Sequence, residues 1–310
     1  MALRLVELYC GIGGCSAALA SAARSKAVEV ALAVDVNPNA LAVYGRNFPS
    51  HPRRAAVVES LSAETLAALE ADLWWMSPPC QPFTQRGKGR DADDPRAATF
   101  LTMIDRLAEV RPAWIALENV PGFEGSRVHG RLLAVLDRAG YHQIAERVLC
   151  PGDLGLPNRR RRYYLVASRR ALAPVEPLPV EPRPLAEFLD SEVDGGLRVD
   201  PELVRRYEHA LHRVRADDPQ ALTSCFTSAY GRSPVRSGSY LALDDGGLRR
   251  LTPAEILRLL GFPRDFELPE DKSPERLWPL VGNSLSLPAV RTMLAAVPPL
   301  AGLLRGQAAA

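Results

Sequence analysis

Leu3-Arg4-Leu5-Val6-Glu7-Leu8-Tyr9-Cys10-Gly11-Ile12-Gly13-Gly14 is an apolar run that ends in a glycine turn, with a helix expected to begin near Ser16. Strand, glycine turn and helix in that order open a βαβ unit, and glycines there let the backbone approach a ligand closely. An ordinary tight strand-to-helix turn would use the same residues. The G-x-G-G spacing departs from the G-x-G-x-x-G of dinucleotide sites, which makes a dinucleotide the less favoured ligand. Roughly 20 residues further on, the second strand ends at Asp35, where an acid accepts hydrogen bonds from ribose hydroxyls in Rossmann-type sites. Asp35 would equally serve as N-cap to a helix starting near Asn39. Together, loop and acid describe a nucleoside cofactor.

Working outward, apolar runs alternate with helix-like segments, giving the rhythm of a doubly wound α/β sheet with helices on both faces. The expected strands are Leu3–Tyr9, Val28–Val34, Ala55–Val58, Leu73–Met76, Trp114–Leu117, His142–Leu149 and Tyr163–Ala167. Pro174, Pro177, Pro179, Pro182 and Pro184 then form a stiff connector that fits neither sheet nor helix. A domain boundary is placed there: 1–170 as the first domain, 171–278 as a small second domain with the connector at 174–184, and 279–310 as a segment returning to the first domain. Thr252-Pro253-Ala254-Glu255 is a capping box with proline at the first helical position, and Gly261 supplies the stop. A last helix from about Pro288 is expected to pack back on the first domain.

Composition narrows the class. At 310 residues the chain exceeds the usual single-core size, and 47% apolar residues with mixed charge suit a globular protein. The longest nearly apolar stretch, Thr292 to Leu304, contains Pro298 and Pro299 and is too short for a bilayer span. Arg4 and Glu7 interrupt the opening run, so it does not read as a signal peptide and a cytoplasmic location is expected. Cys10, Cys15, Cys80, Cys150 and Cys225 are odd in number and hold no C-x-x-C pair, which argues for reduced thiols and against disulfides or zinc. The net charge is only +2, yet Arg159 to Arg162 are consecutive and only Lys26, Lys88 and Lys272 are lysines. Arginine suits phosphate, and a GC-rich genome would produce the same bias.

Chemistry concentrates after the fourth and fifth strands. Ser77-Pro78-Pro79-Cys80-Gln81-Pro82-Phe83 sets Cys80 just outside the carboxyl end of a strand, where doubly wound folds bind ligands. A lone cysteine is more often a small buried hydrophobe, but one held among three prolines in a loop makes poor core filler. A thiolate adding to C6 of cytosine renders C5 nucleophilic. Such chemistry needs an acid beside N3, and Glu118, which follows the strand Trp114–Leu117, fits once burial raises its proton affinity. Taken alone, Glu118 would read as a carboxylate capping a neighbouring loop. In the run Arg159 to Arg162, strand alternation would aim Arg160 and Arg162 to one side, leaving Arg159 and Arg161 to solvent.

These motifs in this order, ELYCGIGG, AVDVN, SPPCQPF, LENVPGF, NRRRRYYLVA and VGNSLSLPAV, resemble the cytosine-C5 methyltransferase superfamily. The resemblance implies an α/β, class I S-adenosylmethionine-dependent methyltransferase, with a Rossmann-like doubly wound sheet and a smaller target-recognition domain. It implies Cys80 as nucleophile, Glu118 as partner of N3, and Arg160 and Arg162 as catalytic-loop arginines. For the donor it implies Tyr9, Gly11, Ile12, Gly13, Gly14, Asp35, Val36, Glu59, Ser60, Ser77 and Pro79, with Asn283 and Ser284 beside the methionine end. For the target it implies Gln81, Thr99, Asn119, Cys225, Phe226 and Thr227. No metal is implied.

Within the superfamily the chain is similar to the tRNA branch that methylates cytosine 38 in the anticodon loop of aspartate tRNA. Cys225-Phe226-Thr227, followed by Tyr230-Gly231, matches that branch's CFT motif; Asn158 replaces the glutamine usual in DNA enzymes; and DVNPNALAVYGRNFP follows the branch. A tRNA is therefore the expected partner, with no membrane. Base flipping is cheaper in an unpaired loop than in a duplex, and a +2 chain has few cations for gripping duplex phosphates. Arg159 to Arg162 and Arg232 to Arg236 would face the RNA, and the rings of Phe226 and Tyr230 would either stack beside the flipped base or lie in the core of the small domain. The competing readings are a restriction-modification DNA cytosine methyltransferase and a non-catalytic RNA-binding protein; the second is disfavoured because Cys80, Glu118 and Arg160 are all present.

Overall fold

Seven strands form the main sheet: Leu3–Leu8 (β1), Val28–Asp35 (β2), Arg53–Ala55 (β3), Leu73–Met76 (β4), Trp114–Asn119 (β5), Gln143–Leu149 (β6) and Arg162–Ser168 (β7). The computed structural model describes residues 2–20, 26–84, 91–175, 180–193 and 195–305. Lys88, Pro177 and Pro179 lie outside the described residues. The strands make one sheet in the order β3-β2-β1-β4-β5-β7-β6, with β1 to β5 parallel and β7 antiparallel to both neighbours. β4 and β5 are buried throughout, as strands covered on both faces must be. β3 begins and ends earlier than the expected Ala55–Val58, because Val58–Ser60 closes into a 3-10 turn in which Ser60 Oγ donates to the Val57 carbonyl.

The strand order reverses between β1 and β4, which pair directly with Leu8 opposite Met76. Loops leaving the carboxyl ends of those two strands flank a topological switch point, the place where open α/β sheets take their ligands. The glycine loop leaves β1 and the proline-cysteine loop leaves β4.

The chain divides into two compact units, Met1–Leu149 with Arg161–Leu178 and Val290–Ala310, and Cys150–Arg160 with Pro179–Ala289. This differs from a division at 1–170, 171–278 and 279–310. Residues Cys150–Arg160 go with the second unit because the Asn158 amide donates to Thr223 Oγ1 at 2.9 Å and Arg160 is tied to carbonyls of that unit. In the first unit the returning segment reaches the donor-loop helix, where Arg291 Nε donates to the Ala18 carbonyl at 3.1 Å.

The second unit carries a three-stranded sheet, with Ser239–Ala242 (β9) between His212–Val214 (β8) and Leu248–Arg250 (β10). The helix Pro253–Leu259 starts with the expected capping box, Thr252 and Glu255 bonding reciprocally, and Gly261 follows at φ +86°. Glu255 is fully buried and forms an ion pair of 2.6 Å with Arg249. Among the described residues, no single helix is long and apolar enough to cross a membrane.

Candidate active site

The donor loop is shaped by backbone geometry that glycine supplies. Gly11 and Gly13 adopt φ of +53° and +93°, and a Cβ at Gly13 would lie 2.8 Å from the Phe48 ring. At Gly11 an added Cβ would meet nothing within 4 Å, so the backbone there faces open space. Asp35 fastens the loop: Oδ2 accepts from the Gly11 amide and Oδ1 from the Asn37 amide, each at 2.8 Å. Asn37, not Asp35, is the N-cap of the helix Pro38–Asn47. Each Asp35 oxygen keeps a second lone pair, so its use in the loop is compatible with binding a ribose.

Around this loop, Ile12 is buried while Val36 is 64% exposed at the end of β2. Glu59 Oε2 is buried without a hydrogen-bond partner. An open backbone, an exposed apolar side chain and an unsatisfied carboxylate oxygen fit S-adenosylmethionine, whose adenine has an apolar face and an amino donor. Tyr9, in the left-handed region at φ 57°, shares a hydrogen bond of 3.0 Å with Thr99 Oγ1, and burial pushes its phenol up. Thr99, expected beside the target, is thus engaged with a donor-loop residue. Ser77 Oγ accepts from Trp75 Nε1 at 3.0 Å, fixing the first turn after β4.

Cys80 begins the 3-10 turn Gln81–Phe83, its carbonyl accepting from the Phe83 amide at 3.0 Å. Cys80 is half-buried, whereas Cys10 and Cys15 are buried and their thiols pushed up by burial, which leaves those two inert. Glu118, on the neighbouring β5, is 8% exposed and lies 3.2 Å from Arg162 Nε at the start of β7. The neighbouring loops are stitched together as well: Asn119 Nδ2 donates to the Pro78 carbonyl at 3.3 Å, and Gly122 lies against Phe83, whose carbonyl oxygen would stand 2.3 Å from a Cβ at that position. The first unit therefore brings Cys80, Glu118, Asn119 and Arg162 to adjacent strand ends.

The second unit assembles a separate group. Arg160, 4% exposed, donates to the carbonyls of Phe226 at 2.9 Å, Gly282 at 3.1 Å and Ser284 at 2.6 Å, and lies 3.5 Å from Cys225 Sγ. Gly282 has no room for a Cβ, which would fall 2.5 Å from the Thr227 carbonyl group. The motif Cys225–Thr227 and the segment Gly282–Ser284 are thus held as one piece by a buried guanidinium. This differs from an Arg160 reaching for base or phosphate. Strand alternation is not the cause either, since β7 starts only at Arg162; Arg159 and Arg161 are exposed all the same. Asn283 is exposed and the buried Ser284 Oγ has no hydrogen-bond partner.

Phe226 and Tyr230 take the second of the two places open to them. They are 2% and 1% exposed and meet edge to face at 5.0 Å, an arrangement allowed by Gly238, where a Cβ would lie 2.5 Å from Phe226. Tyr230 OH donates to the Ser239 carbonyl and accepts from the Leu251 amide, so both ring and hydroxyl are satisfied inside the unit.

Sequence reading missed Arg96. It is held by Asp94 through two hydrogen bonds of 2.8 and 2.7 Å, which raise the proton affinity of its guanidinium, with a smaller electrostatic contribution from Cys80. The only local signal is the triplet Asp94-Pro95-Arg96, in which Asp94 caps the turn Pro95–Ala97 and turns back on Arg96.

Comparison with known proteins agrees with this geometry. Residues 3–194 and 202–298 match the family model described as C-5 cytosine-specific DNA methylase. A tRNA (cytosine(38)-C(5))-methyltransferase of Schizosaccharomyces pombe is 30% identical, covering 94% of this chain and 96% of its own. A DNA (cytosine-5)-methyltransferase of Dictyostelium discoideum is 27% identical over 94% of this chain and 93% of its own. The solved structure of a methyltransferase from Entamoeba histolytica superposes with a TM-score of 0.86 at 25% identity, covering 98% of this chain and 99% of that one. With a doubly wound sheet, a donor loop and a cysteine loop at its switch point and a match over most of its length, the chain belongs to the C-5 cytosine-specific methylase family, whose members take their methyl group from S-adenosylmethionine.

Proposed function

We propose that this enzyme methylates C5 of a cytosine in RNA, with cytosine 38 in the anticodon loop of tRNA(Asp) or a similar tRNA as target and Cys80 as covalent nucleophile. The observation that carries the chemistry is the meeting of Cys80, Glu118 and Arg162 at adjacent strand ends of one unit. The Cys80 thiolate adds to C6, forming a carbon–sulfur bond, while Glu118 supplies the hydrogen bond or proton that neutralises N3. Arg162 fixes the direction of the Glu118 carboxyl. Bound S-adenosylmethionine supplies an electrophilic methyl group and leaves as S-adenosylhomocysteine. C5 takes that methyl, then gives up its proton to a water at the site as the C6–sulfur bond breaks and N3 returns its proton to Glu118, which restores the aromatic ring and frees the thiolate.

Tyr9, Gly11 to Gly14, Asp35, Val36, Glu59, Ser60, Ser77 and Pro79 hold the donor in this reading, with Asn283 and Ser284 assigned to its methionine end by the family pattern. Gln81, Asn119, Cys225, Phe226 and Thr227 serve the target, Phe226 through its backbone carbonyl on Arg160 rather than through its ring. Support for tRNA comes from the CFT motif and from relatives named for tRNA cytosine 38. A relative named for DNA supports the alternative of duplex DNA.

One experiment separates these. Labelled donor is supplied with total tRNA, a synthetic anticodon stem-loop and genomic DNA at matched salt, using the intact protein and Cys80→Ala. Methylation of tRNA by the intact protein alone is expected. Faster methylation of DNA would overturn the RNA assignment, and transfer by Cys80→Ala above background would overturn the covalent mechanism.

A further inference from the structure

Behind the loop that follows Glu118 lies a polar group that the reaction does not use. His129 is 7% exposed, and its Nδ1 accepts from the Gly125 amide at 3.1 Å. That bond leaves the proton of the neutral ring on Nε2, which faces Glu146 Oε1 at 2.8 Å. Tyr163 OH donates to the same Glu146 oxygen at 2.5 Å and lies 3.0 Å from His129 Nε2. The three side chains come from different elements: the helix Arg127–Arg138, β6 and β7. A carboxylate shared by two donors fixes all three.

Phe123 sits on this group. Its ring is 5.4 Å from both the His129 and the Tyr163 rings, and on its other side meets the Phe83 ring edge to face at 5.0 Å. Phe123 is fully buried and closes the turn Pro121–Phe123 directly after Glu118-Asn119-Val120. Phe83 closes the turn that starts at Cys80. Phe123 is therefore a wedge between the loop of the acid and the loop of the nucleophile.

We infer that His129, Glu146 and Tyr163 are positioning residues that set the spacing of Cys80 and Glu118 through Phe123. The inference rests on the proposed roles of Cys80 and Glu118. Each loop closes in only a single 3-10 turn, so beyond the direct contacts of Asn119 with Pro78 and of Gly122 with Phe83 their separation depends on what packs beneath them. A displacement of about 1 Å costs reacting groups as much as a hundredfold in rate.

The test uses the full chain and an anticodon stem-loop RNA with 5-fluorocytosine at the target, which blocks the final loss from C5 and retains the covalent adduct. Tyr163→Phe removes one hydroxyl and keeps the ring. Glu146→Gln keeps shape and removes charge. Each is expected to slow both adduct formation and kcat on ordinary RNA about tenfold, with KM for RNA and Kd for S-adenosylmethionine within about twofold of the parent. His129→Gln, which retains an N–H donor toward Glu146, is expected to be faster than His129→Ala.

Parent-like adduct rates in both Tyr163→Phe and Glu146→Gln would overturn the inference. So would losses in which kcat and melting temperature fall while KM rises, since that pattern belongs to general loosening of the unit. Failure of the parent protein itself to form the adduct with RNA or with fluorocytosine-containing DNA would instead remove the reading of Cys80 on which the inference stands.

Discussion

Arg162 Nε stands 3.2 Å from Glu118 Oε1, with 16% and 11% of the two side chains exposed. A guanidinium at this distance holds a carboxyl in one orientation, so that the carboxyl can be aimed. Glu118→Gln is expected to lower kcat by about 10²- to 10⁴-fold, the range for loss of a general acid. Arg162→Lys keeps the charge but not the planar fork and is expected to lower kcat less, with little change in donor Kd. Single-turnover methylation together with calorimetric titration of the donor checks both.

Gly122→Ala tests how tightly the two reactive loops are fitted. The new Cβ would lie 2.3 Å from the backbone carbonyl oxygen of Phe83, an atom that moves only if the Cys80 turn moves. The expected outcome is a fall in kcat of at least about tenfold and a stability loss of about 1–3 kcal/mol. Gly125→Ala, where a Cβ meets nothing within 4 Å but φ is +77°, provides a backbone control a few residues away. Denaturant melts and initial rates on the same preparations separate the two effects.

The third expectation concerns pH. Glu7 lies fully buried below the donor loop, and burial pushes its carboxyl from 4.5 up to about 7, despite hydrogen bonds from Ser16 and Tyr44 that act the other way. The folded state therefore keeps a proton that the unfolded chain has already released. Stability from this group is complete below pH 4.5 and falls by about 3 kcal/mol as pH rises to about 7. Glu7→Gln is expected to flatten that part of the profile. Urea midpoints taken at intervals from pH 5 to 8 for both proteins would show it, and parallel profiles would count against it.

Much of this molecule can be read from its chain. The central strands β1, β4, β5 and β7 coincide with largely apolar runs, because a strand buried on both faces needs a continuous apolar segment. The glycine loop, the cysteine loop and Glu118 follow from motif order for the same reason: each leaves the carboxyl end of a strand. What escaped depends on contacts distant in sequence. Nothing local to Arg160 announces that its acceptors are at Phe226, Gly282 and Ser284, and nothing local to Phe226 announces that Gly238 makes room for its ring. β3 lies ahead of the apolar run Ala55–Val58 because a three-residue edge strand carries almost no pattern of its own.

Arg160→Met is the fourth prediction. It removes donors from three buried carbonyls and is expected to lower the unfolding free energy of the chain by about 2–5 kcal/mol. Arg160→Lys, with one point-like ammonium in place of a fork, is not expected to restore it. Chemical denaturation followed by tryptophan fluorescence is a suitable measurement, since Trp278 lies in the same unit.

The guanidinium of Arg160 also imposes a schedule on synthesis. Its acceptor at Ser284 lies 124 residues further along the chain. At ribosomal rates of about 5–20 residues per second, Arg160 leaves the ribosome roughly 6 to 25 s before that acceptor exists. Throughout that interval the arginine must remain in water, because a buried charge without partners is too costly to hold. The loop carrying the CFT motif thus cannot reach its final form before Ser284 is made, and a ribosome stalled before Gly282 would display a nascent protein with both units incomplete, the second lacking acceptors for Arg160 and the first lacking the segment from Val290 onward.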